Sequence, residues 1–99
     1  GKVGLVIQDI QYSGADEWVE IRNNGSERVN LSRWKIMDEA KNSHTFGDHW
    51  LEPGDTLRLH SGPGAAEPTW TRLYVWNNSG DTASLYSPDG RLEDEKSYP

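Results

Sequence analysis

Ninety-nine residues, with sixteen acidic against ten basic side chains, leave this chain at −6. That length suits a single core, and a domain of this size buries roughly two-thirds of the surface its unfolded chain exposes. The absence of cysteine excludes disulfides, thiolate zinc sites and a cysteine nucleophile, and an acidic chain with dispersed basic residues is disfavoured on phosphate backbones.

The chain opens on Gly1 rather than Met, as a domain cut from a longer protein would, and residues 1–99 read as one domain. Its longest strictly apolar run, Leu5-Val6-Ile7, is far too short for a membrane span, so no insertion into a bilayer is expected. Ile7 and Ile10 have opposite parity, which predicts a bulge between them. From Glu17 to Asn23 the period is two: Val19 and Ile21 share one face, and Trp18, Glu20 and Arg22 the other. Asn23-Asn24-Gly25-Ser26 then turns the chain. Leu31 and Trp34 again break parity, predicting a bend by which a strand changes sheets.

Glu52-Pro53-Gly54-Asp55 reads as a type II turn, because Pro presets φ at the second position and Gly accepts φ > 0 at the third. Leu57 and Leu59 alternate with Arg58 and His60. Ser61 to Pro68 is the one long loop. Leu73 and Val75 alternate with Tyr74 and Trp76, which predicts a strand, and Ala83 and Leu85 alternate with Ser84 and Tyr86. Ser87-Pro88-Asp89-Gly90 is a hairpin turn. The charged segment Arg91 to Tyr98 fits only an exposed edge strand, where charge discourages edge-to-edge pairing. About eight short, mainly antiparallel strands with bends describe an all-β chain, a β-sandwich of immunoglobulin-like size.

Few residues suggest chemistry. Asn77-Asn78-Ser79-Gly80-Asp81 offers one glycine, no lysine and too few oxygen ligands for a phosphate or calcium loop, so it is expected to be a metal-independent hairpin turn with Gly80 at φ > 0. His44, His49 and His60 lack zinc-site spacing and read as surface histidines. Paired acids such as Asp38-Glu39 read as solvated loops. No nucleophile elbow or acid–base constellation is present. The expectation is no enzyme, no cofactor and no metal. The three glycosylation sequons, at Asn24, Asn30 and Asn77, carry little weight in a chain this rich in serine and threonine.

Five tryptophans are the anomaly. Trp34, next to Ile36 in parity, and Trp76 read as core or sheet-covering residues. Trp18, Trp50 and Trp70 stand in polar settings, where they are either covered by long polar side chains or exposed as anchors for a protein or platforms for a sugar.

The order of motifs resembles the lamin-tail domain. Ile7-x-x-Ile10, Glu17-Trp18-Val19-Glu20-Ile21-x-Asn23 and Val29-x-Leu31-Ser32-x-Trp34 come first. Phe46, Leu51-x-Pro53-Gly54 and Trp76-Asn77-Asn78-x-Gly80-Asp81-x-Ala83-x-Leu85 follow. Two departures stand out: Arg33 sits where the family often has glycine, and Glu93 and Lys96 sit where apolar residues are common. The resemblance implies an immunoglobulin-like sandwich without enzymatic activity. Animal members engage chromatin and nuclear-envelope partners, whereas bacterial and archaeal relatives are accessory modules on secreted or surface proteins. This chain's acidity and lack of rod heptads favour the prokaryotic type. The expectation is a monomeric adhesion module that tethers a larger extracellular or cell-envelope protein to a protein or cell-surface component. A carbohydrate-binding module and a chromatin- or nucleic-acid-binding tail are the alternatives. A nuclear lamina context is disfavoured.

Overall fold

The computed structural model describes residues 4–98. Ten strands and no helix occur among them: β1 (Leu5–Gln11), β2 (Glu17–Asn23), β3 (Val29–Asn30), β4 (Lys35–Met37), β5 (Ser43–Thr45), β6 (Trp50–Leu51), β7 (Thr56–Ser61), β8 (Thr69–Thr71), β9 (Asp81–Tyr86) and β10 (Leu92–Tyr98). One sheet has the order β1-β2-β7-β8, a second β10-β9-β4-β5, and β3 pairs with β6 in a short ribbon. All pairs are antiparallel except β7–β8. The immunoglobulin-like sandwich expected from alternation is what forms, with ten strands instead of about eight, five of them only two or three residues long.

The parity breaks resolve as expected. Gln8 is the extra residue of a bulge, so Ile7 opposes Ile21 and Ile10 opposes Val19, and both isoleucines face inward. Between Leu31 and Trp34 the chain turns, with Trp34 N–H donating to the Leu31 carbonyl at 2.9 Å. It leaves the β3–β6 ribbon there and enters the second sheet. Arg33 takes φ 69° at this corner, so an arginine holds the left-handed conformation that glycine adopts without steric cost.

Val19 and Ile21 from the first sheet and Ile36, Ala83 and Leu85 from the second are fully buried, and Trp34, Phe46, Leu51 and Trp76 are buried with them. Glu20 lies on the outer face as its parity requires, yet it is buried. Gln8 Nε2 and Arg58 Nε donate to its carboxylate at 2.7 and 2.8 Å and cover it. Asn23 is fully buried and knits the end of β2 to two segments. Its amide donates to the Glu27 and Leu51 carbonyls, and its side-chain oxygen accepts from Gly25 N–H. The Glu52–Asp55 turn forms with Asp55 N–H on the Glu52 carbonyl at 2.9 Å, and Gly54 N–H ties it to Asn23.

The segment 72–76 corrects the alternation reading. It is not a strand: Leu73 and Tyr74 are 73% and 64% exposed, while Val75 and Trp76 are both buried. Here the chain leaves the first sheet after β8 and crosses to the second at β9. Glu17, 2% exposed, binds the crossing. Its Oε1 accepts from Val75 N–H at 2.9 Å, Trp76 N–H at 3.3 Å and Ser61 Oγ at 3.1 Å. Amides satisfied by a carboxylate need no partner strand. Asn77–Asp81 is therefore the last corner of a crossover, not a hairpin. Gly80 does take a positive φ, 139°. The buried Asp81 carboxylate organises the corner, accepting from the backbone N–H groups of Asn77, Thr82 and Glu39.

Gly62, at the start of the loop after β7, has φ 101°, and a Cβ there would lie 2.5 Å from the Ala15 carbonyl oxygen. That contact admits only glycine.

Candidate functional site

The two long sides of the sandwich differ. On one side, edge strands β1 and β10 are tied together: Asp94 accepts from Ile7 N–H at 2.7 Å, beside bulges at Gln8 and Glu93. Tyr12 and Tyr98 stack at 4.2 Å, and Tyr98 Oη donates to the Asn77 carbonyl at 2.8 Å. Burial, then the negative charges of Asp81 and Glu17, push the Tyr98 phenol well above its ordinary range. This side is closed, and the expected charged edge strand is part of the closure.

The opposite side, between β5 and β8, is open. Trp70 of β8 lies across it, edge-on to Trp76 at 5.9 Å and tilted against His44 at 6.2 Å. On one flank of Trp70 lies a groove of about 320 Å³ whose walls are Phe46, Gly47, Asp48, His49, Pro68 and Thr69. Its floor reaches Leu57 and Leu59 between the sheets. On the other flank Asn42, Ser43, Leu73 and Tyr74 line a second depression of about 310 Å³. Half-buried Leu57 and Trp70 are thus the apolar surface that reaches this seam, next to the exposed Leu73–Tyr74 tip, while Phe46 and Leu59 stay buried beneath it.

His44 sets the character of this seam. It shares the inward parity of Ile36, its partner on β4, and packs edge-on to Phe46 at 5.0 Å. Burial lowers its pKa below the usual 6.5, so it is neutral at pH 7 and adds no charge to the groove. Neither lysine nor arginine lines the larger groove, and Asp48 is its one carboxylate. Asn30 Nδ2 donates to the Asp48 Oδ1, which fixes that acid at the rim.

The three tryptophans considered as anchors do not converge. Trp18 lies on the outer face of the first sheet with the Arg58 guanidinium 3.9 Å above its ring centroid. Trp50 is 49% exposed on the β3–β6 ribbon with Arg28 4.4 Å over its ring. Trp18 is covered as long polar side chains cover a sheet surface, whereas Trp50 has a cation on one face and stays half-exposed. Trp70 alone stands at the seam, half-buried.

The histidines need correction: His44 and His60 are half-buried and only His49 is exposed. His60 Nδ1 pairs with Asp16 Oδ1 at 2.7 Å. The packing of a histidine against aromatics depends on which strands meet, which spacing alone does not reveal. No group of three or more metal-ligating side chains exists among the described residues. Leu73, Tyr74, Gly47 and Pro68 were not singled out from sequence, since nothing local marks where two sheets fail to close.

The family model described as Lamin Tail Domain matches residues 1–99, the whole chain. This chain belongs to the lamin tail domain family. Comparison with curated proteins found no match. For a lamin tail domain, an immunoglobulin-like module of a non-catalytic fold family, the question is what the surface holds. In this lamin tail domain the signature residues Glu20, Asn23, Trp34, Phe46, Trp76 and Asp81 are buried scaffold. Pro53, Gly54, Asn77 and Gly80 shape the turns that end the strands. None of them is a reactive group at a pocket mouth.

Proposed function

We propose that this lamin tail domain is a non-catalytic module that tethers a larger, secreted or surface protein through protein–protein contacts made at the β5–β8 seam and the Leu73–Tyr74 tip. The observation that carries this reading is the asymmetry of the sandwich. One side is closed by Asp94 and the tyrosine stack, while the other leaves half-buried Leu57 and Trp70 beside two well-exposed apolar side chains, Leu73 and Tyr74. Aromatic and apolar anchors inside a polar rim are what protein interfaces use. The stacking platforms a sugar-binding module needs find less support, because Trp18 and Trp50 carry arginines across their rings. Placement outside the cytoplasm rests on the resemblance to accessory modules of secreted proteins.

The test is retention of a fluorescent fusion of the domain on cell envelopes of the source organism, with Leu73→Asp as the comparison. Retention that is lost after protease treatment of the envelopes, and reduced by Leu73→Asp, is the expected result. Retention that survives protease but is lost to glycosidase or nuclease treatment overturns the reading.

A further inference from the structure

We infer that the free edge of β5 accepts an extended peptide segment of a protein partner, one whose alternate apolar side chains enter the Phe46–Leu57 groove and which carries a basic residue next to Asp48. This rests on the protein-binding reading above and specifies its mode.

The backbone pattern comes first. Phe46 N–H donates to the Trp34 carbonyl at 2.8 Å and Asp38 N–H to the Asn42 carbonyl at 3.0 Å. In an antiparallel ladder the bonded residues alternate, so Asn42, His44 and Phe46 turn toward β4. Ser43 and Thr45 therefore present their N–H and C=O groups away from it. β5 ends its sheet, so these groups are a template for another strand.

The other edges of the two four-stranded sheets are defended. β1 and β10 carry bulges and share the Asp94 bond, and β10 is densely charged. β8 follows Pro68, whose missing N–H weakens it as a template. β5 has neither charge nor proline within Ser43–Thr45.

Side chains decide what the guest carries. Inward-facing residues of an added strand follow the parity of His44 and Phe46 and so point into the groove whose floor is Leu57 and Leu59. Apolar residues at alternate positions fit there. With Asp48 as the only carboxylate on the groove, no lysine or arginine lining it, and −6 overall, a lysine or arginine at that end is favoured over an acid. Three residues of strand give few backbone bonds, so the groove must supply the remaining affinity and the selectivity.

Two substitutions test this without touching the core. Thr45→Pro removes an outward N–H that β4 does not use, a position where edge strands tolerate proline. Gly47→Trp fills the groove, and a Cβ at Gly47 meets nothing within 4 Å. The probes are two capped ten-residue peptides, alternating valine–lysine and alternating valine–glutamate, titrated into 15N-labelled domain.

The valine–lysine peptide should shift the Ser43, Thr45 and Gly47 amides and slow hydrogen exchange at Ser43 and Thr45. Thr45→Pro and Gly47→Trp, each with a native spectrum, should weaken binding by about tenfold or more, as expected when a backbone hydrogen bond is lost and the proline ring crowds the added strand, or when the anchor pocket is filled. The glutamate peptide should bind at least as poorly as the variants bind lysine peptide. Equal binding of both peptides, or affinity unchanged in both folded variants, overturns the inference. So does sedimentation showing that the edge pairs with a second copy of this chain. Shifts confined to Leu73 and Tyr74 would also overturn it while leaving the protein-binding reading intact.

Discussion

Glu17 is the residue whose removal should harm this domain most for its size. Replacing it by alanine leaves the buried N–H groups of Val75 and Trp76 without an acceptor, and Ser61 Oγ loses its partner too. Each orphaned buried amide costs about 1–3 kcal/mol, so Glu17→Ala should cost about 2–6 kcal/mol from the two amides alone. A domain of this length has roughly 5–15 kcal/mol in total, and the variant should be near its limit of stability. Glu17→Gln keeps an acceptor oxygen in place and exchanges charge-assisted bonds for neutral ones, for a loss of about 1–2 kcal/mol. Urea unfolding followed by tryptophan fluorescence reads both, since a shifted midpoint at unchanged slope reports stability alone. Hydrogen exchange at Val75 and Trp76 should accelerate before that of Ile21 and Leu59, because the crossover detaches first. The reasoning fails if Glu17→Ala lies within about 1 kcal/mol of wild type, the range of an ordinary surface change. It fails equally if glutamine is as damaging as alanine, since the acceptor position would then not be what matters.

Trp34→Ala should cost about 3–5 kcal/mol in the same urea assay, as for other buried aromatics. Glu20→Gln should cost only about 1 kcal/mol or less, because half-exposed Arg58 is its main partner. Burial alone would raise the Glu20 carboxyl's pKa, but bonds from Arg58 and Gln8 and the charges of Arg58 and Arg22 outweigh it and hold it below 4.5. Its stabilisation is therefore present above that value and is lost as pH falls through the lower folded pKa. Wild type should lose more stability than Glu20→Gln in that acid range, measured by melting temperature against pH. Calcium in the micromolar range should move neither the Asn77–Asp81 amide resonances nor the melting temperature, because Asp81 already spends both oxygens on local donors. In fluorescence anisotropy with duplex DNA at about 150 mM salt, no dissociation constant at or below roughly 10⁻⁶ M should appear, since phosphate contacts need clustered Lys or Arg.

Strand identity, inward faces and turns were legible wherever period two ran unbroken. Val19 and Ile21, Leu57 and Leu59, and Ala83 and Leu85 all face inward as alternation requires. Even the bulge at Gln8 and the corner at Arg33 announced themselves as broken parity, because burial on one face forces the chain to correct its register locally. Glu17 shares parity with Val19 and Ile21, so its core position was implicit in the pattern although its role was not. That role depends on Val75 and Trp76 arriving from 58 and 59 residues away. The same long-range crossing defeated the alternation of residues 73–76, where a carboxylate replaced a neighbouring strand. Burial of Glu20 and the arginine covers over Trp18 and Trp50 likewise needed the strands that bring Arg58, Gln8 and Arg28 alongside. Most of all, tertiary structure decided which sides of the sandwich close. Residue pattern determines which face of a strand meets the core, but whether two sheet edges meet depends on twist, bulges and single bonds such as Asp94 to Ile7, so the open β5–β8 seam exists only in three dimensions.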